Sequence, residues 1–242
     1  MLVSGADVVR IFAILGWLLV AGVAQAGPWP REEGTTFLSF ALERDSEGNS
    51  HTGLYGEYGW AARRTLGFEF GHTNVGETSG LIWFQQAVGS GEGPNRFAIS
   101  SGVGVIARDG DYIPLGIIGA SWGRGIERLP GGGWLAVDAR VRLAGKTETV
   151  AYHEGMNLIE VGYLTPETTV KLDMAIGFKP WDRTMFINQL RMEERKEEGF
   201  SAKLATSLVY DLGGPAKIEL GLVTPISGSG EQAVRFGTWL EF

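Results

Sequence analysis

The sequence contains no cysteine, only three histidines, and fewer basic than acidic side chains, 21 against 28. The absence of cysteine excludes a disulfide-stapled scaffold and a cysteine-ligated metal centre. The net charge of −7 argues against a nucleic-acid platform, so no nucleic-acid partner is predicted. After residue 26 no stretch reaches 18 apolar residues, which excludes a later transmembrane helix. What is abundant instead is glycine, with 37 residues, in a chain that is 44% apolar.

The first 26 residues have the pattern of a secretory signal. Arg10 supplies a positive charge, residues 11–23 are almost purely apolar, and Ala24-Gln25-Ala26 matches the small-residue cleavage site. The apolar run is shorter than the roughly 20 residues that a transmembrane anchor needs. We therefore expect export, cleavage after Ala26 and a mature chain of residues 27–242.

The mature chain alternates apolar and polar residues with a period of two, which indicates β-strands with one apolar and one polar face. In one stretch the apolar face carries Val170, Leu172, Met174, Ile176 and Phe178, and the other face carries Lys171, Asp173, Ala175 and Gly177. The alternation predicts twelve strands, at about 35–44, 52–60, 64–74, 79–88, 95–107, 112–124, 133–144, 168–179, 183–193, 199–211, 214–224 and 231–242. Turns rich in Gly, Asp, Asn and Pro separate them. A thirteenth apolar run, 158–164, is placed in a long loop at 145–167.

Two architectures fit such alternation. A soluble β-sandwich packs its apolar faces against each other, whereas an outer-membrane barrel turns them to lipid and its polar faces to the lumen. In the barrel, charges of both signs on the polar face would pair across neighbouring strands. The residues expected to form this lumen charge lattice are Glu57, Glu69, Arg96, Asp138, Arg140, Arg142, Lys171 and Asp173.

The positions of the aromatic residues favour the barrel. If the chain starts in the periplasm, six aromatic side chains lie at or near periplasmic strand ends, where the membrane interface suits their partly apolar, partly polar rings. These predicted interface aromatics are Trp60, Trp122, Trp134, Trp181, Tyr210 and Trp239.

The C-terminus carries a further signature. Arg235, Gly237, Leu240 and Phe242 present a polar residue, a glycine and hydrophobic residues at the third-last and last positions. This pattern resembles the C-terminal β-signal of Gram-negative outer-membrane barrels, and the resemblance implies recognition by the barrel-assembly machinery. The whole mature chain also resembles small, mostly uncharacterised proteobacterial outer-membrane proteins, in segments such as Ser121-Trp122-Gly123-Arg124-Gly125. That class implies a fold and a location but no activity.

A spanning sheet has to close on itself, because unpaired backbone groups in hydrocarbon cost several kcal/mol each. The prediction is therefore an all-β fold: one antiparallel up-and-down transmembrane barrel of about 12 strands, a size between filled barrels and open pores. Small residues line its predicted N-terminal half: Ser39, Ala41, Gly53, Gly59, Gly67, Gly71, Ala98, Ser100, Gly102 and Gly104. Long charged residues line the other half, so we expect free volume on one side and a salt-bridged wall on the other.

Catalytic and metal-binding patterns are weak. His51 and His153 fall in predicted extracellular loops and His72 closes a strand, but none has the Ser and polar partner that an acyl hydrolase needs. A divalent-cation site at Glu57 and Glu69 is less favoured than pairing with Arg96 or another lumen base. No catalytic residue, metal or cofactor is predicted.

The sequence thus predicts a porin-like outer-membrane barrel, in contact with outer-membrane lipids, that acts as a passive small-solute channel or a structural envelope component. Two alternatives remain open: an outer-membrane enzyme that acts on lipids, and a soluble secreted β-sandwich that binds a ligand. The sequence defines neither the solute nor the oligomeric state.

Overall fold

A computed structural model gives the architecture of residues 27–154, 157–196 and 199–242; the side chains of 146–165 are not described. The predicted secretory signal, residues 1–26, lies outside the described residues. Its cleavage after Ala26 stays a prediction.

The chain forms twelve antiparallel strands, because its period-two alternation continues through short glycine-rich turns. The strands are β1 (Thr36–Asp45), β2 (Ser50–Ala61), β3 (Arg64–Thr73), β4 (Thr78–Val88), β5 (Asn95–Arg108), β6 (Asp111–Ile126), β7 (Gly133–Glu154), β8 (Asn157–Trp181), β9 (Thr184–Arg195), β10 (Gly199–Asp211), β11 (Ala216–Ser227) and β12 (Ala233–Glu241). Each strand pairs with its neighbours in sequence, and β1 pairs with β12. The sheet is a closed up-and-down barrel, which confirms the predicted fold class.

The outer surface is apolar along every strand. Phe40, Ile82, Ile99, Ile118 and Leu222 are among the large hydrophobic residues that point outward and are exposed. Polar and charged partners of the same strands point inward, the reverse of a water-soluble sandwich. No helix in the described part of the chain is long and apolar enough to span a membrane.

The predicted loop at 145–167 is wrong. Strands β7 and β8 continue through it as a two-stranded hairpin, in register from Gly145↔Pro166 to Glu154↔Asn157. Pairing of β6 with β7 ends at Ala144, and pairing of β8 with β9 begins at Thr169, so this hairpin extends beyond the barrel. The apolar run 158–164 lengthens β8 and does not add a thirteenth strand. We call this end of the molecule the hairpin end. The opposite end, where β1 begins and β12 ends, is the terminal end.

The lumen is not uniformly polar. Near the terminal end a packed apolar cluster, the lumen core, lies inside the barrel; its members are Phe37, Trp134, Ala136, Ala175, Met185, Ile187, Val209 and Trp239. A second cluster lies on the wall of β4 to β6, formed by Leu81, Trp83, Ile106, Leu115 and Ile117. Buried apolar residues thus occupy positions that period-two patterning alone assigns to a water-filled interior.

Candidate functional site: the lumen

The lumen contains a cavity of about 490 Å³, which we call the vestibule. Its floor includes Phe37, Tyr55 and Trp239 from the terminal side, and its walls carry the charged side chains of β1, β3, β7, β8, β9 and β12. The side chains of Arg140 and Lys171 are 29% and 30% exposed although they point inward. Water therefore reaches these groups inside the barrel.

Ion pairs cross the vestibule. Arg140 of β7 donates to Glu69 of β3 at 2.7 Å, although three strands separate β3 from β7. Arg191 of β9 likewise donates to Glu43 of β1 at 2.9 Å, and Arg235 donates to the same carboxylate at 2.5 Å. The bonds of Arg140 and Arg191 connect distant walls of the lumen, whereas Arg235 faces Glu43 in register on the adjacent strand.

Several residues of the predicted charge lattice have partners other than the expected ones. Directly opposed residues on β7 and β8 carry like charges, as in Asp138↔Asp173 and Arg140↔Lys171, which by itself is unfavourable. Lys171 instead contacts Glu193 of β9 at 2.7 Å. Pairing between adjacent strands, the expected arrangement, holds for Lys171, which faces Glu193 in register on β9, but not for Arg140, whose partner lies across the lumen.

Arg96 does not belong to this lattice. Its guanidinium donates to the backbone carbonyls of Gly93, in the turn before β5, and of Asn95, the first residue of β5. Glu57, one of its predicted partners, is bonded instead to Arg31 and accepts a hydrogen bond from Tyr55. Arg31 precedes the first strand, so strand patterning gave no reason to place it in the lumen.

Residues 27–34, here the N-terminal segment, fold into the barrel at the terminal end. Gln85 Nε2 donates to the Gly27 carbonyl at 2.7 Å, and the ring of Trp29 meets that of Trp134 edge-on with centroids 6.3 Å apart. A Cβ atom on Gly123 would lie 2.4 Å from Pro28 and Trp29, so only glycine leaves room for them.

Arg31 anchors the same segment. Besides Glu57 it contacts Glu241 at 3.5 Å, its guanidinium carbon lies 4.5 Å from the centre of the Phe37 ring, and its backbone N–H donates to Thr65 Oγ1. Together with the lumen core, the N-terminal segment closes the terminal end of the lumen. The sequence predicts no role for it, because the first predicted strand begins at about residue 35.

The expected free volume beside the small residues is largely occupied. The Trp83 side chain lies over Gly67 and Gly102, and the Glu32 carbonyl lies against Gly59. Space remains near Gly53 and Gly71, which line the vestibule. The free volume is unevenly distributed in the lumen, but the filled part includes much of the glycine-rich wall.

The prediction of interface aromatics is wrong for two residues. Trp134 and Trp239 are 3% and 5% exposed and belong to the lumen core, and Trp239 Nε1 donates to Glu219 at 3.1 Å. Trp60, Trp181 and Tyr210 are exposed at the terminal end. Trp122 is half-buried and pairs in register with Phe97, whose side chain is exposed on the outer face.

The two histidines with described side chains, His51 and His72, lie on opposite faces of the sheet. His51 lies in β2 and lines the vestibule, which corrects its predicted place in a loop. His72 Nδ1 contacts Thr78 Oγ1 at 2.8 Å near the hairpin end, and His153 lies in β7 with a side chain that is not described. The described residues include no group of three or more His, Asp or Glu placed to hold a metal ion.

The residues of the proposed assembly signal lie at the seam between β12 and β1. Arg235 points into the lumen and bonds to Glu219 and Glu43, whereas Leu240 and Phe242 are exposed on the apolar outer surface. Gly237 pairs with Ala41 in register. The structure thus separates the four residues between the two faces of one strand.

No known protein family matches the chain, and no curated protein matches its sequence. Its fold matches solved structures. The NanC porin matches with a TM-score of 0.56 and 11% identity over 85% of this chain and 98% of that one. An outer membrane channel from Pseudomonas putida F1 matches with a TM-score of 0.56 and 7% identity over 91% of this chain and 100% of that one. The KdgM porin matches with a TM-score of 0.53 and 9% identity over 85% of this chain and 99% of that one. At these identities the likeness concerns architecture: the chain has the closed β-barrel fold of outer-membrane porins and channels.

Proposed function

We propose that this protein is an outer-membrane channel for small hydrophilic solutes, closed at its terminal end in the conformation described here. The observation that carries the proposal is the charged, water-accessible vestibule enclosed by a barrel whose outer surface is apolar. If the interior contributed only to stability, a packed apolar interior would stabilise the barrel more than partly solvated ion pairs do. The solved barrels of the same fold include porins and an outer membrane channel, which supports this role.

Passage requires the N-terminal segment to leave the lumen. This segment contacts the barrel wall mainly through Trp29 and Arg31 and through a few hydrogen bonds of its backbone, such as Gly34 N–H to the Gly59 carbonyl, and it belongs to none of the strands. Its release breaks no strand pairing, so the barrel stays closed toward lipid while the lumen opens. The lumen core beside it narrows the remaining path and limits the channel to small solutes.

Conductance in planar lipid bilayers tests this proposal. We compare the intact protein with a variant in which residues 28–33 are replaced by a Gly-Ser segment of equal length. The channel proposal expects rare or small steps from the intact protein and a steady, larger ion current from the variant. Arg64→Gln serves as control, because Arg64 is exposed and bonds only to Gln86.

A structural envelope component is the second candidate, and the packed lumen core favours it. It predicts that the barrel stays sealed even after the N-terminal segment is replaced. Absence of current from a variant that still shows heat-modifiable gel migration, and is therefore folded, overturns the channel proposal and supports this one.

The proposal includes export by the secretory signal and cleavage after Ala26. Mass spectrometry of the mature protein tests the site, since the expected first residue is Gly27. A mature chain that begins after Trp29 would lack Pro28 and Trp29, the deepest part of the N-terminal segment. Such a chain would leave the lumen open at that end.

A further inference from the structure

One cation in the vestibule differs from all the others there. Arg140, Lys171, Arg191 and Arg235 each bond to a carboxylate. Arg142 lines the same cavity, yet it forms no hydrogen bond or ion pair with any residue within the described ranges.

No carboxylate among the described residues pairs with Arg142, including Glu167, which lies on the inner face of β8 one step toward the hairpin end, opposite Ala144. In register Arg142 faces Ile117 on β6 and Thr169 on β8, and Arg140 and Lys171 lie on the same inner face one step toward the terminal end. The acidic groups that act on it electrostatically are Glu69 and Glu193. Each of these already bonds to another cation, Glu69 to Arg140 and Glu193 to both Lys171 and Arg195.

A partly buried guanidinium without a partner is costly, because it loses hydration and gains no hydrogen bond in return. Its planar donors fit a carboxylate with two parallel N–H···O bonds, an arrangement stronger than one between neutral groups. Arg140 and Lys171, directly opposed on adjacent strands, add positive potential beside it.

We propose that Arg142 is the centre of a binding site in the vestibule for small solutes that carry a carboxylate group. The site lies on the hairpin side of the acidic pair Asp138 and Asp173, roughly 13 Å along β7 from Asp138 at about 3.3 Å per residue. That pair opposes an anion that moves deeper, so the carboxylate stays at Arg142. The inference rests on the proposed function in that solutes enter the vestibule, but binding itself requires no conduction.

Isothermal titration calorimetry on the full protein in detergent micelles tests the site, with malonate and, separately, inorganic phosphate as probes. Saturable malonate binding is expected, with a loss of tenfold or more in Arg142→Gln. Arg142→Lys, which keeps the charge but loses the paired N–H geometry, is expected to bind several-fold more weakly than the intact protein. Arg64→Gln, which removes a guanidinium outside the vestibule, is expected to leave binding unchanged.

Several outcomes overturn the proposal: no malonate binding by the intact protein, equal binding by Arg142→Gln, or Arg142-dependent binding of phosphate without malonate. Heat-modifiable gel migration verifies that each variant is folded, and Arg142→Lys provides the comparison if Arg142→Gln does not fold. If the barrel conducts no ions but binds malonate through Arg142, the channel proposal fails and the binding-site proposal stands. Failure of one proposal can therefore be distinguished from failure of the other.

Discussion

At the scale of single residues, glycine in this barrel creates space for tryptophan. Gly67 of β3 pairs with Trp83 of β4, and the indole ring lies flat over the glycine inside the lumen. A Cβ atom at position 67 would lie 2.2 Å from Trp83 Cζ2, a distance that no real contact reaches. Because Trp83 is 3% exposed and packed among Leu81 and Ile117, the ring has little room to move away.

We therefore expect Gly67→Ala to lower the free energy of unfolding by about 1–3 kcal/mol, the usual cost of overpacking a core. Gly80→Ala is the matched control, because a Cβ atom at position 80 meets nothing within 4 Å. The midpoint of the heat-induced gel shift measures the difference. Equal midpoints for the two variants would show that Trp83 does not lie against Gly67.

At the scale of elements, the seam between β1 and β12 closes the barrel. The last residue takes part in it: the Phe242 N–H donates to the Thr36 carbonyl at 3.0 Å, and the Thr36 N–H donates to the Phe242 carbonyl at 2.6 Å. The Phe242 ring itself is exposed on the apolar outer surface and packs against no core. Its backbone thus serves closure, and its side chain is available for recognition during assembly.

Deletion of Phe242 is expected to lower the amount of assembled protein in the outer membrane without reducing export. Phe242→Ala separates the two roles, because it keeps both backbone hydrogen bonds and removes the ring. If the ring is the assembly signal, both variants accumulate in the periplasm in unassembled form, as cell fractionation and gel migration measure. Normal assembly of Phe242→Ala would limit the role of this residue to the seam.

At the scale of the whole molecule, the apolar outer surface and the charged lumen determine where the protein is stable. Large, exposed hydrophobic side chains project from eleven of the twelve described strands, all except β9, whereas charged groups form ion pairs inside. A soluble protein rarely exposes so extended an apolar surface. Lipid around the barrel removes this surface from water, and the closed sheet leaves no strand edge unpaired in hydrocarbon.

Ile82 tests this arrangement, since it lies near the middle of β4 on the outer face and is 61% exposed. In a bilayer, Ile82→Lys is expected to destabilise the folded barrel by about 2–4 kcal/mol, as charged residues do at the midplane. Ile82→Leu, which preserves the apolar character, serves as the control. Denaturant titration in lipid vesicles measures both, and a lysine variant as stable as the leucine variant would argue that this face meets water.

The sequence alone favoured a barrel over a sandwich, and closure of the sheet decided between them. What the sequence did determine are the features that depend on local alternation: the twelve strands and which residues of each strand share an apolar face. Period-two patterning carries this information because successive side chains point to opposite faces. It did not determine what fills the lumen. Trp134 and Trp239 stand on inward positions near strand ends, and only closure of the sheet makes them a core instead of an interfacial belt.

Partners across the lumen likewise depend on closure. Arg140 reaches Glu69 over three intervening strands, and Arg31 reaches Glu57 from a segment without any strand pattern. No sequence spacing encodes these distances, because they depend on how far the closed sheet curves and on where the N-terminal segment enters it. The same geometry leaves Arg142 facing the vestibule without a partner among the described residues, so the proposal of a binding site at this residue comes from the tertiary structure and not from the strand pattern.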